Sequence, residues 1–267
     1  MRLKPYLIMI FLSCSAAFCY ASTLKEKIEY IKSKYEHTMC DKQYLFFPAT
    51  KPVYLFIIFT SAVKNKYEMW SWFWNDAEIW SDTAYLFLKD DDICWYLGND
   101  KASFVESYAH IINYHIALTG VAQNNVFTIG GSMGGYAAIF YATILGLGGV
   151  VAYNPQINKS SNSKNIRFAL ENTGDKWINL DELLALHEKV PAISLLYGAY
   201  SKDFAAACDL LQVLKDKKTL VIFRHVDLKG HKGLNITKKY IEGDLNFFKA
   251  QDPLAALVKG SMDNERT

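Results

Sequence analysis

Short, continuously apolar runs recur along the chain, and most are followed by a stretch with helical spacing. The runs QYLFF (43–47), VYLFIIF (53–59), AYLFL (84–88), NVFTI (125–129), GVVAY (149–153), AISLLY (192–197) and TLVIF (219–223) predict strands. The first two flank the proline-bearing turn PATKP. Helical periodicity predicts helices over STLKEKIEYIKSKYEHT (22–38), FVESYAHIINYHIAL (104–118), GYAAIFYATIL (135–145), FAAACDLLQVL (204–214) and KGLNITKKYIEGDLNFF (232–248). Strands that are apolar along their whole length are buried on both faces. Their alternation with helices therefore predicts an α/β class, a mainly parallel sheet with helices on both faces. One stretch breaks the rhythm. Residues 156–190, QINKSSNSKNIRFALENTGDKWINLDELLALHEKV, are polar, rich in asparagine and only partly helical. A connection of that length between two core strands predicts a small cap insertion over a pocket.

Composition narrows the class. The chain has 267 residues, 51% of them hydrophobic, enough for one large core, and no linker or internal repeat divides it. The formal net charge of +2 is near balance and the lysines form no stripe, which argues against nucleic acid as a partner. At the start, Arg2 and Lys4 precede an apolar stretch from Tyr6 to Phe18 and small residues before Ser22, the order of a secretory signal peptide with cleavage after Ala21. The competing reading is an uncleaved anchor, but the stretch is short against the roughly 20 residues a spanning helix needs. Residues 1–21 are therefore read as a signal peptide, 22–267 as a single domain, secreted or periplasmic, and membrane contact as confined to the signal segment. Beyond it lie Cys40, Cys94 and Cys208, an odd set without a C-x-x-C pair, so no metal or redox cofactor is implied. A Cys40–Cys94 bridge and buried free thiols both remain open.

The chemistry concentrates in NNVFTIGGSMGGYAAIFYATILG (124–146). A dinucleotide-binding turn needs glycine where Ser132 stands and an acidic residue about 20 positions on, and the next strand offers none. A phosphate-cradling loop would need Gly-Lys-Ser/Thr, also missing. Gly130, Gly131, Ser132, Met133 and Gly134 instead match G-x-S-x-G, a strand-to-helix turn that presents a serine nucleophile. There the Met133 backbone N–H is aimed at a developing oxyanion. A serine hydroxyl needs a base, oriented by an acid, in the order Ser, Asp/Glu, His. His37, His110 and His115 precede the serine, and His187 falls in the cap stretch. Of the two after the last core strand, His231 in the loop DLKGHKGLN is preferred over His225, which continues VIFR and could still belong to the strand. Asp203, in the loop after AISLLY, is preferred as the acid, although a carboxylate there could equally cap the next helix; Asp209 lies deeper in that helix and Asp175 in the cap. The second oxyanion donor is expected from the backbone of Ser61 or Ala62, after VYLFIIF.

With these residues in order, the chain from Gln43 to Phe248 resembles the α/β-hydrolase superfamily, on the motifs GGSMGG, GAYSKD and KGHKG. The resemblance implies a Ser132, Asp203, His231 triad and acyl transfer to water through an acyl-serine. More faintly, GSMGGYAA with ICWYLGND is similar to hydrolase-like proteins of bacterial surface-glycan systems, which implies a glycan-linked ester such as an O-acetyl group as the partner. The His-Gly oxyanion motif of many lipases is missing, and few strands precede VYLFIIF, so a binding or assembly protein without catalysis is the alternative. Thioesterase or peptidase chemistry would use the same triad. The four tryptophans of YEMWSWFWNDAEIW (67–80) could stack on sugar, wall an acyl pocket, or simply fill core.

Overall fold

The structure, a computed structural model, describes residues 24–73, 82–161, 163–198, 201–226 and 237–250. The expected signal segment lies outside them. Contacts divide the chain into two units, residues 1–36 and 37–267. In the first, the described part is the helix α1 (Leu24–Tyr35), which stops three residues short of the predicted end.

The second unit is built on an eight-stranded sheet. Its strands are β1 (Glu36–Met39), β2 (Lys42–Phe47), β3 (Tyr54–Phe59), β4 (Thr83–Leu88), β5 (Val126–Gly131), β6 (Gly149–Tyr153), β7 (Ala192–Gly198) and β8 (Val221–Val226). Their order in the sheet is β1-β2-β4-β3-β5-β6-β7-β8. From β4 to β8 every neighbouring pair is parallel, while β2 runs antiparallel to β4. The sheet is thus mainly parallel, as its apolar strands predict. Every residue of β4 and β5 is buried, which requires cover on both faces. The helices are α2 (Val105–Thr119), α3 (Met133–Ile144), α4 (Lys164–Thr173), α5 (Leu180–Leu186), α6 (Ser201–Lys215) and a helical segment over residues 238–250; α2, α3 and α6 pack on the sheet, α5 packs on α3 and α6, and Phe248 of the last segment stacks on Phe127 of β5.

The start of the sheet holds one difference from the sequence expectation and one pairing that the sequence left open. EHTM, read as the end of a helix, is the strand β1, and the turn to β2 puts both Cys40 (φ 51°) and Asp41 (φ 57°) in the left-handed region. That is the geometry of a tight hairpin, usually written with Asn-Gly. And β2 and β3, close in sequence around PATKP, are not neighbours in space: β4 is inserted between them.

The helix α3 runs through the middle of the core. Residues 133–143 of it are all buried, and it packs on β3, β5 and β6. A helix apolar all round has to be enclosed, and the small residues Gly134, Gly135, Ala137 and Ala138 let it approach the sheet closely. Phe59, Tyr96 and Tyr141 meet around it: the Phe59 and Tyr141 rings stack at 5.5 Å, and the Tyr141 hydroxyl donates to the Tyr96 carbonyl at 2.7 Å.

The expected cap stretch is more helical than its polarity suggested. It holds α4, α5 and two single turns of 3-10 helix. Trp177 lies with its ring 4.6 Å from that of Tyr136, whose hydroxyl donates to the Ile178 carbonyl at 2.7 Å, so the segment is fastened to α3.

Candidate active site

Ser132 stands between β5 and α3 at φ 51°, ψ −119°. A non-glycine residue reaches that region only when its surroundings force it, at a cost of about 1–3 kcal/mol. The surroundings are the glycines. A Cβ on Gly130 would overlap the Gly134 carbonyl oxygen, and one on Gly134 would overlap the Phe59 carbonyl oxygen. One on Gly131 would strike the Tyr153 ring. Strand, turn and helix therefore pass at distances only glycine allows. The Ser132 N–H donates to the Tyr153 carbonyl at 2.9 Å and its carbonyl accepts from the Tyr136 N–H at 3.0 Å, which pins the turn at both sides. Met133, first residue of α3, contributes one of the four N–H groups that a helix start leaves without an intrahelical partner.

A cavity of about 470 Å³ opens beside Ser132. Ser61, Ala62, Val63 and Glu68 line one side, Gly131, Tyr153 and Asn154 the base, and Asn165 and Phe168 of α4 the cap side. Burial holds the Tyr153 phenol well above its ordinary pKa, so it stays neutral. Glu68 was not singled out by its sequence, where it is the lone charge between Lys66 and Asp76. Its carboxylate accepts from the Ser61 N–H at 2.8 Å and from the Ser61 hydroxyl at 2.7 Å. Of the two loop donors expected for an oxyanion, Ser61 therefore already spends its N–H on Glu68.

Behind Ser132 lies Gln156, also missed from the sequence. It follows Pro155 just past the carboxyl end of β6, and a side-chain amide at that end of a central strand was the available signal. Its Nε2 is 3.4 Å from Ser132 Oγ, and its Oε1 accepts from the Trp95 indole N–H at 3.2 Å. Trp95 comes from ICWYLGND, where Ile93, Trp95 and Tyr96 all have positive φ. Buried Asp90 makes that conformation tenable by accepting from the N–H groups of Cys94 (2.8 Å) and Tyr96 (2.9 Å). Burial pushes the Asp90 carboxyl above its usual range, and these N–H groups pull it partly back.

The carboxyl ends of β5, β7 and β8 share one edge of the parallel sheet, so the segments that leave them face the same side. Asp203 is the third residue of α6, which begins just after β7; the position of its side chain lies outside the described residues. His231 lies outside them as well. His225 is within β8, paired with Tyr197, exposed, with its ring 4.8 Å from Phe204. His115 is a buried structural histidine, its Nδ1 2.8 Å from the Ile111 carbonyl and its ring against Tyr44 and Phe46. Cys40, Cys94 and Cys208 are free thiols, with Cys94 buried and Cys40 exposed. Of the tryptophan-rich segment, Trp70 is half-buried, while Trp74 and Trp80 lie outside the described residues.

No family model matches the chain, and no curated protein does. Solved structures do. The chain is similar to an S-formylglutathione hydrolase from Agrobacterium tumefaciens, with a TM-score of 0.60 and 15% identity over 80% of this chain and 92% of that one. The chain has the α/β-hydrolase fold. It is similar also to the capsule O-acetyltransferase of Neisseria meningitidis serogroup A, with a TM-score of 0.56 and 17% identity over 80% of this chain and 92% of that one. A third similar structure is FphF, a fluorophosphonate-binding serine hydrolase of Staphylococcus aureus, with a TM-score of 0.57 and 12% identity over 78% and 92%. At these identities the likeness speaks for the fold.

Proposed function

We propose that the protein is an exported serine esterase that cleaves a carboxylic ester through an acyl-serine intermediate. The observation that carries this reading is the backbone of Ser132, held at φ 51°, ψ −119° in a turn whose glycines let strand and helix pass too closely for a side chain. In the proposed reaction Ser132 Oγ attacks the ester carbonyl carbon and His231 takes the Oγ proton, oriented by Asp203. Charge passes to the carbonyl oxygen, which the N–H groups of Met133 and Ala62 receive. The alcohol leaves with the proton from His231, and water, activated by the same imidazole, releases the acid.

A glycan-linked ester such as an O-acetyl group is the proposed substrate. The faint resemblance carried by GSMGGYAA and ICWYLGND supports it, as does the likeness to a protein described as a capsule O-acetyltransferase. The cavity of about 470 Å³ suits a small acyl group and part of a polar alcohol. Wild type should hydrolyse p-nitrophenyl acetate, and Ser132→Ala should abolish it. A panel of ester, thioester and amide substrates then separates esterase from thioesterase and peptidase chemistry. The second reading, a binding or assembly protein without catalysis, draws on the Glu68 carboxylate that already holds the Ser61 N–H. An inert wild type across short and long acyl esters would decide for it.

A further inference from the structure

Gln156 is 1% exposed, and both ends of its amide are hydrogen-bonded. Oε1 accepts from the Trp95 indole, which can only donate. Nε2 reaches the Asn154 carbonyl, which can only accept, at 3.4 Å, and Ser132 Oγ at 3.4 Å. The sense of the amide is therefore fixed by two partners independently, and a flip would set oxygen against oxygen at Asn154 and N–H against N–H at Trp95. Each partner is itself anchored. Trp95 sits in the loop held by Asp90. Asn154, at φ 45°, donates its N–H to the Leu196 carbonyl at 2.8 Å and accepts at Oδ1 from the Gly198 N–H at 3.1 Å. A side chain locked in this way is preorganised, and what it presents to the nucleophile is a donor.

Resting on the reading of Ser132 as a nucleophile, we infer that Gln156 is a catalytic residue, a fixed N–H donor to Ser132 Oγ. When the Oγ proton passes to the base and the Oγ–C bond forms, negative charge grows transiently on Oγ. The same charge returns when the acyl–Oγ bond breaks in deacylation, before the base gives its proton back to Oγ. A neutral contact of 3.4 Å is weak in the ground state and strengthens when its acceptor becomes anionic. An interaction that is stronger in the transition state raises kcat and leaves KM nearly unchanged. The indole N–H behind Oε1 polarises the amide in the same direction.

Two variants test this, with ester turnover as the readout. Gln156→Met keeps the length and removes the donor; kcat should fall about 10–100-fold with KM within about threefold, less than the loss of a full oxyanion donor. Gln156→Glu keeps the side chain's size and an acceptor for Trp95, but as a carboxylate it also sets an oxygen against the Asn154 carbonyl. As a carboxylate it faces Oγ with an oxygen, and as a protonated acid it offers a donor again. Its kcat relative to wild type at the same pH should therefore rise as pH falls through the carboxyl's titration with KM nearly unchanged, whereas a purely structural role, acting through Asn154, would move KM and the melting temperature relative to wild type over the same pH range and leave the kcat ratio flat. Gln156→Met within twofold of wild type, or a flat ratio for Gln156→Glu, overturns the inference and leaves the esterase reading standing. A wild type without turnover, or Ser132→Ala with full turnover, overturns that reading and the inference together.

Discussion

Gly134→Ala and Gly135→Ala make the same chemical change at neighbouring positions of α3, yet the structure assigns them different consequences. A Cβ at Gly134 overlaps the Phe59 carbonyl oxygen and would sit 2.9 Å from its carbonyl carbon and 3.0 Å from the Thr60 oxygen. All three are backbone atoms at the end of β3, so relief has to come from separating strand and helix rather than from a rotamer. At Gly135 the nearest atoms lie at 3.1–3.4 Å, and shifts of tenths of an ångström suffice. Overpacking of the first kind costs about 1–3 kcal/mol. At about 2–4 °C per kcal/mol for a chain of this size, Gly134→Ala should melt about 2–12 °C lower than wild type. The displaced atoms are the ones that aim the Met133 N–H and the Ser61–Ala62 loop at the site, and a misplacement of about 1 Å costs about 10²-fold in rate. Gly135→Ala should stay within about tenfold of wild type and melt within a few degrees of it. Melting by circular dichroism and kcat/KM on p-nitrophenyl acetate read both effects. Equal behaviour of the two variants, or a Gly134→Ala protein as fast as wild type, would refute the steric reasoning about the turn.

Other expectations follow from buried groups. Asp90→Ala leaves the buried N–H groups of Cys94 and Tyr96 without their acceptor, which at about 1–3 kcal/mol each should cost about 2–6 kcal/mol in urea denaturation; a loss under 1 kcal/mol would contradict the role given to Asp90. Burial, more than any other cause, lowers the His115 pKa below its ordinary 6.5, against the pull of its bond to the Ile111 carbonyl. Because the folded state then binds fewer protons than the unfolded chain, stability should be intact above about pH 6.5 and decline as pH falls from there towards the lowered pKa. His115→Phe should flatten that part of the stability profile in pH-dependent urea melts, and an unchanged slope would assign it to other groups.

The chain itself exposed much of this architecture, for a local reason. A strand buried on both faces must be apolar along its length, so most strands of the large sheet, and with them its class, could be read as runs; the half-buried β8 was legible only through its apolar start. The elbow could be read because its constraint is steric and lies within five consecutive residues, Gly130 to Gly134. What escaped depends on pairing across distance. β1 hides behind a turn made by Cys40 and Asp41, neither of which announces positive φ as glycine would. The insertion of β4 between β2 and β3 is a choice among strand partners that no local pattern encodes. Glu68 and Gln156 are ordinary polar residues in sequence; they matter because the fold sets one on the Ser61 N–H and the other on Ser132 Oγ. Among the described residues, two indoles brace this region, Trp95 through Gln156 and Trp177 through Tyr136, and neither stands in a local pattern that marks it for that role.

The most direct test of Ser132 as a nucleophile is covalent. Treated with a fluorophosphonate, wild type should gain the mass of one phosphonyl group by intact-protein mass spectrometry, mapped by peptide sequencing to Ser132, and Ser132→Ala should gain none. A wild type that stays unmodified, or a Ser132→Ala protein labelled to the same extent, would contradict the proposal that this serine carries the chemistry.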